Sequence, residues 1–216
     1  MRIRVKFCGM NSVEGAKKAV SIGADAIGFV FFKNSPRYIT PECAETIIKD
    51  MPPFIDNVGV FVNEKIEFIK ECVVKCGLDV VQLHGDEEVE YVAQARKFLK
   101  GIKLIKAVRV KDRESIRSIE DYAADAILLD TYKSGFYGGT GKVFDRTLAM
   151  LAKQSCRNLI VSGGLSSDNV YEVVTQIAPY AVDVSSGIES SLGKKDAGLM
   201  QKFIQEVRRA EEDYGH

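Results

Sequence analysis

Cys8 closes the strand-like run Ile3-Arg4-Val5-Lys6-Phe7-Cys8 just before Gly9, and Asp130 closes another, Ala126-Ile127-Leu128-Leu129-Asp130. A carboxyl that donates a proton and a thiolate that removes one are suited to act as an acid/base pair. Glycine-bearing segments follow later strands: Gly138-Gly139-Thr140-Gly141, Ser162-Gly163-Gly164 and Ser185-Ser186-Gly187. Where no Cβ intervenes, backbone N–H groups can approach an anion closely. Gly141, Gly163, Gly164, Ser185, Ser186 and Gly187 are therefore candidate phosphate ligands, with Ile188-Glu189-Ser190-Ser191 as a short helix beside them. Gln82 and His84 end a fourth strand, Asp183 lies in an eighth, and Ser35-Pro36-Arg37 follows the second. Polar residues at the ends of apolar strands are costly unless a ligand or a hydrogen-bond partner meets them.

Each of these residues also has a plainer reading. Cysteine is among the most buried residue types, so Cys8 alone reads as a small core filler. Asp130 could cap a helix or pair with a lysine, His84 could be a hydrogen-bonded structural histidine, and Arg37 an exposed surface arginine. Cys72 and Cys76 fall within an apolar helical stripe with Ile69 and Val73, which points to packing. The chain has two histidines, His84 and His216, and no metal-ligand cluster forms around either. No dinucleotide fingerprint or P-loop is present, so no nucleotide cofactor is indicated.

Strand-like runs at 3–8, 25–31, 57–62, 79–84, 102–108, 125–130, 158–163 and 181–186 alternate with amphipathic helical runs. Ile66, Ile69, Val73 and Cys76 recur at helical spacing before Gly77, and Leu199, Phe203 and Val207 do so behind Asp196, a candidate N-cap. Runs such as Ala26-Ile27-Gly28-Phe29-Val30-Phe31 are apolar on both faces, as parallel strands covered by helices must be. Eight such units predict a single α/β domain spanning 1–216, a closed (β/α)8 TIM barrel, with a doubly wound open sheet as the alternative. In the barrel, the strand ends named above share one rim. The long irregular segment 132–142 follows strand six, beside that rim.

The bulk composition narrows the partners. Thirty basic residues balance thirty acidic ones, which removes any global electrostatic case for nucleic acid or a membrane surface. The apolar runs are too short to span a bilayer, and no signal peptide is evident. Five cysteines (Cys8, Cys43, Cys72, Cys76 and Cys156) read as free thiols in a reducing cytoplasm. The oligomeric state stays open between monomer and homodimer.

Taken in order, Lys6-Phe7-Cys8-Gly9, Gly28-Phe29-Val30-Phe31, Ser35-Pro36-Arg37-Tyr38-Ile39, Gly59-Val60-Phe61-Val62-Asn63 and Val81-Gln82-Leu83-His84-Gly85 form the first half of a pattern. Leu128-Leu129-Asp130-Thr131, Gly138 to Asp145, Ser162-Gly163-Gly164-Leu165 and Val182 to Glu189 complete it. Over nearly its whole length the chain resembles the phosphoribosylanthranilate isomerases of tryptophan biosynthesis. The resemblance implies a (β/α)8 barrel that needs no metal or cofactor and acts on a small phosphosugar substrate. It also implies that Cys8 is the general base, Asp130 the general acid and Arg37 a contact to the anthranilate part; His84 and Asp183, by their places on the strands, are candidate substrate contacts. On this reading Cys8 works as a thiolate, its pKa lowered by positive charge such as Lys6, and burial raises that of Asp130. Arg146 departs from the pattern, standing where many members carry tryptophan. A histidine-pathway isomerase on the same barrel generally uses paired aspartates, and a pentulose-phosphate epimerase needs metal ligands that this chain lacks. A non-catalytic phosphometabolite-binding barrel is the remaining alternative.

Overall fold

Residues 2–110, 112–130 and 146–214 are described by a computed structural model. Eight parallel strands close on themselves in chain order: β1 (Arg4–Cys8), β2 (Ala26–Val30), β3 (Asp56–Phe61), β4 (Val80–Leu83), β5 (Lys103–Arg109), β6 (Ala126–Asp130), β7 (Leu159–Ser162) and β8 (Ala181–Val184). The last strand pairs with the first, Lys6 opposite Asp183, so the sheet has no open edge and the doubly wound alternative is excluded. The architecture is the expected (β/α)8 barrel.

The covering helices are α1 (Val13–Ile22), α2 (Pro41–Ile48), α3 (Ile66–Cys76), α4 (Val89–Phe98), α5 (Arg146–Ser155), α6 (Val170–Ile177) and α7 (Ala197–Tyr214). Their ends follow local chemistry. Ser12 accepts a hydrogen bond from the Gly15 N–H at the start of α1, and Thr40 accepts one from Cys43 ahead of Pro41 in α2. Asp196 caps α7 as expected, accepting from the Leu199 N–H at 2.9 Å. Gly77, at φ 73°, ends α3, whose buried face carries Ile66, Ile69, Cys72 and Cys76. The two cysteines are packing residues, as their spacing predicts. Between β5 and β6, where alternation predicts another helix, the described chain makes two 3₁₀ turns, Glu114–Ile116 and Ile119–Asp121, that bury Ile116 and Ile119.

Two departures concern the chain after β8. The strand ends at Val184 rather than at residue 186, and the expected short helix 188–191 is absent. Instead a 3₁₀ turn, Ser186–Ile188, leads into a hairpin of β9 (Glu189–Ser191) and β10 (Lys194–Lys195). Gly193, at φ 76°, turns the hairpin, which folds Lys195 back beside Glu189. An ion pair between those two residues outweighs the helical tendency of four residues that include two serines.

Period-two alternation sorts each barrel strand. Val5 and Phe7 of β1 face the helices, and Phe7 meets Phe203 of α7 edge-on with ring centroids 6.1 Å apart. The inward positions form an apolar plug of Val58, Val80, Ile105, Ala107, Ala126, Leu128, Ile160 and Ala181. Nearer the C-terminal ends of the strands, Cys8, Val30 and Val60 form a second inward cluster. The buried polar residues Lys6, Gln82 and Asp183 lie on these same strands. The barrel is thus sealed at one end and chemically furnished at the other.

Phe203 is fully buried and joins α7 to β1, the strand that carries Cys8. Phe203→Ala is expected to cost about 3–5 kcal/mol of unfolding free energy, as large-to-small changes of buried aromatics do. Urea denaturation measures it, and a loss below about 1 kcal/mol would show that α7 contributes little to the core.

Candidate active site

Cys8 and Asp130 are the final residues of β1 and β6, so both stand on the C-terminal rim. Room for the thiol comes from Gly28, opposite Cys8 on β2. A Cβ at that position would lie 2.9 Å from the Cys8 Sγ and 3.1 Å from the Lys6 Cε. Beneath the thiol, the Lys6 ammonium is only 4% exposed and donates to Asp183 Oδ1 and Gln82 Oε1, each at 3.0 Å. The Cys8 thiol, two residues along the same strand, also bears on its charge. Gln82 continues the line, with Nε2 2.7 Å from His84 Nδ1, and His84 Nε2 stands 3.1 Å from Asp130 Oδ2. Asp183 is itself buried, holding Lys6 with one oxygen while the other lies 3.5 Å from the Ser162 hydroxyl.

A second cluster sits where the hairpin meets the rim. Glu189 accepts from Arg37 Nε and Nη2, both at 2.7 Å, and from Lys195 Nζ at 2.8 Å. Lys195 also donates to the Ser185 carbonyl at 3.0 Å, and the Ser185 hydroxyl donates to the Cys8 carbonyl at 3.1 Å. The ordinary cost of burying Lys195 lowers its pKa despite Glu189. Burial would raise that of Glu189, but the hydrogen bonds from Arg37 and Lys195 outweigh it and hold the carboxyl near 2. Arg37 therefore uses two of its five N–H groups inside the protein.

The expectation for Cys8 needs correction. Desolvation raises its pKa, Lys6 opposes this, the negative charge of Asp183 adds to it, and Lys195 opposes it in turn; the net direction is upward. Nearby cations alone do not make a resting thiolate when the thiol is this deeply enclosed. Lys6 shows the opposite balance. Burial would lower its pKa, but Asp183 and Cys8 more than offset that, so it stays an ammonium.

Of the predicted phosphate ligands, Gly163 (φ 89°) and Gly164 (φ 64°) both adopt the left-handed conformation directly after β7. The N–H groups of Ser186 and Gly187 open the 3₁₀ turn, ahead of its first internal bond from Ile188 to the Ser185 carbonyl. A side chain at Gly187 would run into the Leu165 carbonyl, so glycine here lets the loops after β7 and β8 pack directly on each other. Gly141 and the rest of 131–145 lie outside the described residues, as does the side chain of Arg146. Among the described residues no group of three or more His, Cys, Asp or Glu side chains could hold a metal ion, and no helix is long and apolar enough to cross a membrane.

The comparisons with known proteins name one family. A family model for N-(5'-phosphoribosyl)anthranilate (PRA) isomerase matches residues 5–206. The chain belongs to the phosphoribosylanthranilate isomerase family. The family member from Citrifermentans bemidjiense is 46% identical over 206 residues, 95% of this chain and 97% of its own. The crystal structure of the Thermotoga maritima isomerase superposes with a TM-score of 0.86 at 42% identity, covering 96% of this chain and all of that one. A further isomerase structure, at TM-score 0.84 and 39% identity over the same shares, holds reduced 1-(o-carboxyphenylamino)-1-deoxyribulose 5-phosphate.

Within this phosphoribosylanthranilate isomerase fold, the sequence reading missed Lys195 and Glu189 as members of the site and did not foresee how Gln82 is used. Lys195 carried no signal of its own, because a lysine beside another lysine in a polar stretch reads as surface. Gln82 carried one: an amide at an inward position of a strand otherwise made of Val80, Val81 and Leu83.

The opposing influences on Cys8 can be separated. Alkylation of Cys8 should follow a thiol pKa above the ordinary value. Asp183→Asn, which removes a negative neighbour, should shift the midpoint down, and Lys195→Met, which removes a positive one, should shift it up. The rate of iodoacetamide labelling against pH reads all three, and a wild-type midpoint near neutrality would contradict the enclosure of the thiol.

Proposed function

We propose that this protein isomerises N-(5-phosphoribosyl)anthranilate to 1-(2-carboxyphenylamino)-1-deoxyribulose 5-phosphate, without a cofactor, in tryptophan biosynthesis. Membership of the family supports the reaction. The observation that carries the assignment of roles is that a thiol and a carboxyl end β1 and β6 on one rim, with a hydrogen-bonded line of side chains running between their strands. A cytoplasmic location goes with this role and with the free cysteines.

The chemistry requires two proton transfers. Asp130, protonated, donates to the furanose ring oxygen as the C1–O bond breaks, and the nitrogen lone pair forms an iminium at C1. That cation acidifies the proton on C2. Cys8 as thiolate removes it, the C2–H electrons form a C1=C2 bond, and the iminium electrons return to nitrogen. The enolamine then tautomerises, losing the hydroxyl proton at C2 and gaining one at C1, to give the ketone. The thiol gives its proton to solvent before this step, a cost set by its raised pKa, and the positive iminium beside it then stabilises the thiolate. The phosphate sits against the backbone of Gly163, Gly164, Ser185, Ser186 and Gly187, where the left-handed glycines and the opening of the 3₁₀ turn present N–H groups. Gly141, outside the described residues, is proposed to join them. His84 and Asp183 flank the sugar between the two catalytic groups.

Arg37 is proposed to meet the anthranilate carboxylate with the N–H groups that Glu189 does not use. Glu189 then holds the guanidinium plane in place before substrate arrives, a pre-organised fork that lysine lacks.

Purified protein should convert the substrate, with the change in anthranilate fluorescence as the readout. Asp130→Asn and Cys8→Ala should each lower kcat by about 10²–10⁴-fold with KM little changed. Near-normal turnover in either variant removes that residue from the mechanism, and no turnover in the wild-type protein overturns the function. For Arg37, binding of the product should weaken by about 1.5–3 kcal/mol in Arg37→Ala, while binding of an analogue without the carboxylate should change far less. Equal losses for both ligands would assign Arg37 to the loop instead.

A further inference from the structure

The line Asp183–Lys6–Gln82–His84–Asp130 has a direction that follows from what each group can donate. Lys6 is an ammonium and only donates, so the side of Gln82 that faces it must be the amide oxygen. The Gln82 NH₂ group is thereby turned to His84 Nδ1, at 2.7 Å. Two donors cannot face each other at that distance, so Nδ1 bears the lone pair and the ring proton is on Nε2. That proton points at Asp130 Oδ2, 3.1 Å away. We propose that Lys6 and Gln82 are positioning residues for the general acid: they hold His84 in the Nε2–H tautomer, so that it donates to Asp130 Oδ2.

The inference rests on the proposed isomerase reaction for its purpose, though not for its geometry. With Nε2–H on Oδ2, the carboxylate left after proton donation is stabilised as it forms, which promotes transfer to the ring oxygen. The donor also restrains the rotation of the carboxyl. The same ammonium that fixes this polarity also acts on the charge of the Cys8 thiol. One buried cation therefore orients the acid, through two intermediaries, and acts electrostatically on the base. Gln82 is 1% exposed, so no solvent molecule competes for its amide.

Glutamate in place of Gln82 makes the sharpest test. A carboxylate at that position could still accept from Lys6, but it has no NH₂ to donate, and its second oxygen would draw a proton onto His84 Nδ1. Nitrogen-15 spectra of histidine-labelled protein distinguish protonated from unprotonated ring nitrogens directly. With two histidines in the chain, the His216→Gln variant assigns the signals. In the wild-type protein at neutral pH, Nε2 should carry the proton and Nδ1 should not; in Gln82→Glu the proton should appear on Nδ1. In that variant kcat should fall by about 10- to 100-fold, the loss of one charge-assisted hydrogen bond, with KM within about twofold. A wild-type His84 protonated at Nδ1 would overturn the inference, as would an altered tautomer in Gln82→Glu with unchanged kcat. Because the wild-type spectrum needs neither a variant nor turnover, a failure of this line is distinguishable from a failure of the isomerase assignment, which shows as an inactive wild-type protein.

Discussion

Burying the Lys6 ammonium inside the barrel is the constraint around which the rim is arranged. A cation removed from water needs compensation, and here it has a carboxylate on β8 and an amide on β4. The adjacent residues on β1 cannot share this role, because Val5 and Phe7 face the helices. Strand alternation thus assigns Lys6 and Cys8 to the interior together, and Gly28 on the next strand leaves the space that both side chains occupy. The apolar plug below closes the other end, so the polar line can be answered only from the open rim.

The two cationic centres differ in kind. Lys6 faces a single carboxylate and passes its polarity sideways through neutral groups. Lys195 and Arg37 share Glu189, so that cluster is a clamp: one carboxylate holds two cations of the loop and the hairpin against the Cys8 segment. The first arrangement sets proton positions, and the second sets shape and charge at the mouth. Both bear on the thiol, whose raised pKa is the net of enclosure and of charges of either sign.

Much of the frame was legible in the sequence. Strand runs ending in Cys8, Asp130 and Ser162 were bounded to within two residues, because doubly covered strands are apolar on both faces and polar residues then mark their ends. The candidate catalytic and binding residues could be placed on one rim once eight units had been counted. The hairpin was not legible: residues 188–195 are short and polar, and a tertiary ion pair, not local periodicity, decides their shape. The sign of the Cys8 shift also escaped, since a sequence shows which cation lies two residues away but not how completely the thiol is enclosed. Asp183 looked like a substrate contact by its position, and the structure shows it first as the counter-ion of Lys6.

Elsewhere on the barrel, Lys106 of β5 is buried against Glu87 at 2.7 Å and also donates to the Gly85 carbonyl at 2.8 Å. The carboxylate of Glu87 in turn accepts from the N–H groups of Asn63 and Gly85, the residues where the chain leaves β3 and β4. Anyone seeking to remodel this quarter of the rim for a different substrate meets a coupled unit. Changing Lys106 or Glu87 alone leaves an uncompensated charge in the interior, and changing Glu87 also frees two loops at once, whereas exchanging the pair together for apolar residues of similar volume removes the charge but also the two anchors. Sequence variation here is therefore expected to come in concerted steps, with the chain beside His84 inheriting its stiffness from a buried ion pair behind it.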